Sequence, residues 1–328
     1  CWHSAPPGSP PPWQAAPPYI SSDLTSKATT ISGKSIDGGK VYLRIGDDYT
    51  ASTECNGNDW SFTVPALQSG VTVEIYAVAD GKLQSPYNIA EVGFPGKGTE
   101  ADPYLVYTAE DLQGVYKKGY YKLMNDVNLT SWINSNSPTE GWKAIGKAGI
   151  SAIHFDGGGF TVSGLWAKSD NDYNGLFSNF PSGSISNLTV ETATGKEVNG
   201  KDYTGILAGR IQNTSLQNIT VKGDAEGTVH TGGIAGAMEQ ATVRDVTFDG
   251  NVSSATDNAY VGGLTGWVDG GTISASKTTG NITATGAKAI VGGLLGQSSA
   301  AVSACYAGGT GKADTQDNVY AGGLIGIN

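Results

Sequence analysis

The sequence predicts an all-β chain in two parts, a sandwich of short strands followed by a parallel β-solenoid. Three observations carry this. The cassettes GGIAG (232–236), GGLTG (262–266), GGLLG (292–296) and GGLIG (322–326) begin at intervals of 30 residues, and a fixed period of roughly 20–50 residues marks a stacked-repeat architecture. Glycine supplies 48 of the 328 residues, which disfavours helix interiors and suits short strands with many turns. Between residues 19 and 94, turn signals recur at roughly the 8–12-residue spacing of a sandwich.

Residues 1–18, CWHSAPPGSPPPWQAAPP, contain seven prolines and read as an extended, polyproline-type spacer or disordered tail. Residues 19–94 change texture. TTISGKS, KVYLRIG, YTASTE, WSFTVPAL, VTVEIYAVA and YNIAEV alternate apolar and polar side chains between Gly, Asp, Asn and Ser clusters, the pattern of half-buried strands. The stretch GNDWSFTVPALQSGVTVEIYAVADGKLQSP resembles the bacterial immunoglobulin-like (Big-type) modules of surface adhesins. That resemblance implies an immunoglobulin-like β-sandwich with Trp60 as its core aromatic and Pro65 ending a strand.

A junction, GFPGKGTEADP, leads into residues 95–141. YLVY is a strand, and Thr108 stands three residues before Asp111 as a capping box for a short helix with Leu112 and Val115 on its apolar side. Gly119 is read as its stop, and YYKLMNDVNL as a second strand. A solenoid must hide its open end, so this strand–helix–strand unit is read as the N-terminal cap. From 142 to 328 the repeats predict about six coils, each of two or three strands of four or five residues. Leu176, Leu207, Ile234, Leu264, Leu294 and Leu324 fall 31, 27, 30, 30 and 30 residues apart and are the expected stacked core. Ile185, Leu216, Val243, Ile273 and Val302 follow the same rhythm. The glycines are expected where the chain turns sharply with positive φ and where coils approach closely. The cassette, with its lead-in FDGGGFTVSGL, resembles the family named for the GLUG motif. That resemblance implies a right-handed parallel β-helix, as found in large bacterial surface proteins and in amino-terminal regions of some immunoglobulin A-cleaving metalloproteases.

The formal net charge of −10 argues against nucleic acid and anionic membrane as partners. No apolar run approaches the ~18 residues of a membrane span. Cys1, Cys55 and Cys305 have no CxxC spacing and imply neither a disulfide framework nor a zinc site. Cys1 admits a lipid-bearing first residue or, preferred, a fragment boundary; both ends look like cuts, the last within a repeat.

No catalytic, cofactor-binding or metal site is expected. The weak candidates for a ligand column are Asn187, Asn218 and Asp245, two residues after Ile185, Leu216 and Val243; Ala275 and Ala304 occupy the next two coils. The preferred reading is an amide ladder serving turn backbone groups. Asp156 reads as turn chemistry, Arg244 and Asp245 should point apart on a regular strand, and Lys201 or Lys222 remains open as a base. His154 and His230 are single, with no HExxH, no G-x-S-x-G elbow and no phosphate loop. Two functions are carried forward. The preferred one is a non-catalytic adhesion or stalk module, extracellular or on a bacterial surface, whose partners are a host or matrix glycan or protein receptor and the rest of its own chain. The alternative is a polysaccharide lyase or hydrolase of the β-helix type, or an accessory region of an immunoglobulin A-type metalloprotease.

Overall fold

The computed structural model describes residues 11–146, 152–313 and 319–328. It divides into two compact units, Cys1–Pro95 and Gly96–Asn328.

In the first unit the six strands expected from alternation are present, and a short strand, Tyr19–Ile20, precedes them. One antiparallel sheet holds Tyr19–Ile20, Thr30–Lys34 and Asp59–Thr63. The other runs Tyr49–Glu54, Lys40–Ile45, Thr72–Val78 and Asn88–Glu91. Every second residue of Lys40–Ile45 and Thr72–Val78 is buried, so each strand gives one face to a shared core. Ile31, Trp60 and Phe62 from the first sheet meet Val41, Leu43, Val73 and Ile75 from the second. Trp60 is 3% exposed and packs against Phe62 with ring centroids 5.7 Å apart.

The proline-rich stretch corrects the spacer reading from residue 13 on. Leu83 N–H donates to the Trp13 carbonyl and Ala15 N–H to the Leu83 carbonyl, both at 2.9 Å. Ala15 is fully buried, and Ala16 N–H donates to Asp37 Oδ2 at 2.8 Å. Asp37 also pairs with Lys82, and that hydrogen bond holds its carboxyl below the usual range. Prolines lack a donor, but the residues between them supply enough to dock the segment.

In the second unit, strands Tyr104–Val106 and Gly119–Leu123 pair in parallel across the helix Ala109–Gln113. Thr108 Oγ1 accepts the Asp111 N–H at 3.1 Å while Asp111 Oδ2 accepts the Tyr107 N–H at 3.0 Å. Leu112 and Val115 are fully buried. The helix ends at Gln113 with Gly114 as its C-cap, rather than at Gly119, which opens the next strand. A second helix, Thr130–Asn136, has no counterpart in the sequence reading; with Ile133 as its buried residue it carries too short an apolar pattern to register.

The repeats form a four-sided parallel solenoid. The long face carries Ile153–Asp156 with Thr161–Leu165, then Gly183–Thr192, Thr214–Lys222, Thr242–Asp249, and the broken strands of the last two coils. Each of the other faces is a sheet of six parallel strands, one per coil. The second face includes Glu197–Asn199, Asp224–Glu226 and Val252–Ser254; the third Tyr203–Thr204, His230–Gly232 and Tyr260–Gly262; the fourth Ala208–Gln212, Ala235–Glu239 and Thr265–Asp269. Four strands per coil, the longest of 10 residues, replace the two or three short ones expected.

Leu176, Leu207, Ile234, Leu264 and Leu294 are fully buried. They stack between the third and fourth faces, with Ile234 N–H donating to the Leu264 carbonyl at 2.9 Å and Leu264 N–H to Leu294 at 2.8 Å. Leu324, in the last described coil, is half-buried. Ile185, Leu216, Val243, Ile273 and Val302 are in direct register along the long face.

The cassette glycines correct one expectation. None of Gly232, Gly233, Gly236, Gly262, Gly263 and Gly266 has positive φ, so conformation is not the reason for them. Space is: a Cβ on Gly232 would lie 2.3 Å from the Ala235 carbonyl oxygen and 2.4 Å from Thr265 Cα in the next coil.

Candidate ligand-binding flank

Asn187, Asn218, Asp245, Ala275 and Ala304 occupy one position in five successive coils, and all are left-handed, with φ of 52°, 54°, 55°, 48° and 52°. The position is an outward kink in the long face: Ser186 pairs with Gln217 and Leu188 with Ile219, while the asparagines between them drop out of the ladder. Asn and Asp tolerate this conformation better than other side chains. Asn218 Nδ2 donates to Asn187 Oδ1 at 3.0 Å, and Asn187 Nδ2 donates to Asp156 Oδ1 at 2.9 Å. Asp156 Oδ1 also accepts the Gly158 N–H at 3.0 Å. The left-handed geometry persists where the side chain shrinks to alanine, so the turn itself does not depend on the amide. Among the described residues, no three His, Cys, Asp or Glu side chains converge as a metal ion would need. Ala275→Gly should therefore gain about 1 kcal/mol by removing the left-handed penalty, read from the midpoint of a urea titration.

The kink also corrects the Arg244–Asp245 reading. Left-handed backbone at Asp245 breaks the alternation, and Arg244 Nε meets Asp245 Oδ2 at 3.1 Å.

Several other outward polar groups are bonded to a residue of the adjacent coil. Lys222 Nζ donates to Glu191 at 2.9 Å, Arg210 to Glu239, Asn251 Nδ2 to Asp224 at 3.0 Å and Thr279 to Asp249 at 2.7 Å. The Glu191 hydrogen bond holds the Lys222 ammonium above its ordinary pKa, the opposite of what a lysine base needs. Lys201 lies 3.9 Å from Asp172. Glu197 and Glu226 lie two positions out of register on adjacent strands of the second face; burial, then the Glu197 charge and hydrogen bond, raise the Glu226 carboxyl. Cys55 and Cys305 are free thiols; Cys1 lies outside the described residues.

Sequence reasoning missed a ring ladder on the third face. Tyr173, Tyr203, His230 and Tyr260 stack in register with centroids 5.1, 4.7 and 5.2 Å apart and planes within 10°. Each stands two residues before a cassette glycine (Gly175, Gly205, Gly232, Gly262), a recurrence that was available to find. Burial lowers the His230 pKa and Arg210 adds to this, against an opposing contribution from Asp202. The sign follows: a folded-state pKa below the unfolded ~6.5 means the unfolded chain takes up the proton first, so stability is lost as pH falls below that value. His230→Phe, which keeps a ring in the ladder, should flatten this part of the profile when Tm is compared at pH 7.5 and 5.

A trough of about 430 Å³ lies over the long face at the capped end, walled by Glu100, Ala101 and Pro103. On its floor the Tyr120 and His154 rings stack at 4.3 Å and 12°, and His154 Nδ1 lies 3.0 Å from Ser184 Oγ. Lys122, Asp156, Ser186 and Asn187 line the rest.

No protein-family model matches the chain. A 174-residue stretch is 31% identical to Halomucin of Haloquadratum walsbyi, covering 50% of this chain and 2% of that protein. A 133-residue stretch is 32% identical to a protein of Evansella cellulosilytica described as a Gly-rich membrane protein, covering 37% of this chain and 15% of that one. The chain thus spans a small part of either relative. A solved structure of an IgA1 protease aligns over 91% of this chain and 25% of its own at 14% identity, with a TM-score of 0.41, a level at which two folds need not correspond. Among the described residues no helix is long and apolar enough to cross a membrane.

Proposed function

We propose that the chain is a non-catalytic contact module of a cell-surface or secreted bacterial protein. In this reading an immunoglobulin-like sandwich accompanies a GLUG-type β-helix that serves as a stalk or adhesive flank toward a glycan or protein receptor. The observation that carries it is the commitment of outward polar groups to their equivalents one coil along: Asn218 to Asn187, Lys222 to Glu191, Gln212 to Glu239. Acid–base chemistry needs groups that converge on one reacting atom, whereas these run in parallel ladders. Glu197 and Glu226, two positions out of register on adjacent coils of the second face, are the nearest exception, and they interact with each other rather than with a third group. The names of the relatives, a Halomucin and a membrane protein, support a place at the cell surface.

The test is a screen of the chain against neutral and acidic polysaccharides for new reducing ends or unsaturated products, beside an adhesion assay on glycan- and protein-coated surfaces. Retention without turnover is the expected result. Turnover that disappears in Asp156→Asn, Asp245→Asn or Glu226→Gln would replace this reading with an enzyme.

A further inference from the structure

We propose that the long face of the solenoid, beginning at the trough beside the cap, binds an extended, uncharged glycan laid along the solenoid axis, one sugar residue per coil. This rests on the contact-module reading and names the chemistry of its partner. Parallel register sets the outward side chains in straight columns: Tyr120, His154 and Ser184 in one, Lys122, Asp156 and Ser186 in the next. Adjacent coils repeat at ~4.8 Å, close to the length of one pyranose in an extended β-linked chain. A polymer with that repeat meets a hydroxyl or a ring edge at Tyr120, His154, Ser184, Ser215, Thr242 and Thr272 in turn.

Three further observations favour this ligand. The columns are already held in place, by His154 to Ser184 at 3.0 Å, Asn187 to Asp156 at 2.9 Å and Asn218 to Asn187 at 3.0 Å, so little rotamer freedom is lost on binding. Tyr120 and His154 cover each other's faces and leave their edges, which carry a hydroxyl and a ring nitrogen, for sugar hydroxyls. Charge sets the class. Arg244 is matched by Asp245 and Lys222 by Glu191, while Lys122 shares the trough with Glu100 and Asp156. No cationic excess remains for an anionic polymer, which the net charge of −10 further disfavours.

The experiment is calorimetric titration of the full chain with cellohexaose, mannohexaose, cellobiose and an alginate hexamer. A neutral hexaose should bind at least tenfold more tightly than the disaccharide, and alginate should not bind. Gln217→Trp, outward on this face next to Ser186 in register, should weaken the hexaose tenfold or more. Ser215→Tyr, exposed on the neighbouring column, is the second obstruction. Thr283→Trp, outward on the second face, should change nothing. Hexaose binding untouched by both long-face variants, preference for alginate, or no binding of any sugar would overturn the inference. Adhesion to a protein-coated surface without glycan binding would sink this proposal alone, whereas hydrolysis of the hexaose would sink the contact-module reading beneath it.

Discussion

Gly262→Ala should destabilise the solenoid by at least about 3 kcal/mol, at the upper end of what overpacking costs. The new methyl would stand 2.1 Å from the Thr265 carbonyl oxygen, 2.7 Å from Gly296 N and 3.0 Å from the Leu294 carbonyl oxygen. All three are backbone atoms, two of them in the next coil, and none can swing aside as a side chain would. Relief requires the turn to open away from Thr265 and the coils to separate, which strains the bond from Leu264 N–H to Leu294 at 2.8 Å. Gly57→Ala is the control: a Cβ there meets nothing within 4 Å, although its φ of 65° costs about 1 kcal/mol. Urea titrations compare the two, and equal shifts would mean that close approach is not what the cassette glycines provide.

Leu264→Ala should cost about 2–5 kcal/mol as a core truncation. Leu264 is fully buried, with Ile234 and Leu294 as its counterparts in the flanking coils. Coils that touch only their neighbours collapse poorly onto a void, because their spacing is fixed by the backbone ladders on every face. Ser274→Ala, on an outward position whose hydroxyl donates to the Val243 carbonyl at 3.4 Å, should stay within about 0.5 kcal/mol. Denaturant midpoints of both variants decide this, and similar losses would mean the inward phase is misassigned.

The parts of the fold that were legible in the sequence are those fixed by periodicity. The 30-residue stride located the coils, and the alternation in KVYLRIG and VTVEIYAVA located sandwich strands, because burial of one face forces a pattern on the chain. Four-sidedness was not legible, since strands of two or three residues such as Tyr203–Thr204 are too short to alternate. The glycines were found for half of the right reason: a sequence shows that a side chain is excluded, not whether conformation or a neighbouring backbone excludes it. The column of Asn187, Asn218 and Asp245 was visible as a phase, yet its left-handed backbone was not, and that backbone brings Asp245 round to Arg244. The ladder of Tyr173, Tyr203, His230 and Tyr260 escaped because histidine interrupts the tyrosines, although a flat ring serves the stack in either case.

In this architecture one 30-residue repeat is one interchangeable coil. Deleting residues 252–281 joins Asn251 to Ile282, the residue in register with Val252, and deleting only 252–266 removes half a coil. Circular dichroism and small-angle scattering of the two variants test this interchangeability. The full-repeat deletion should stay folded and cooperative, and be shorter by about one interstrand spacing of ~4.8 Å; the half-repeat deletion should lose the solenoid. A full-repeat deletion as disruptive as the half-repeat one would show that the repeat is not a structural unit.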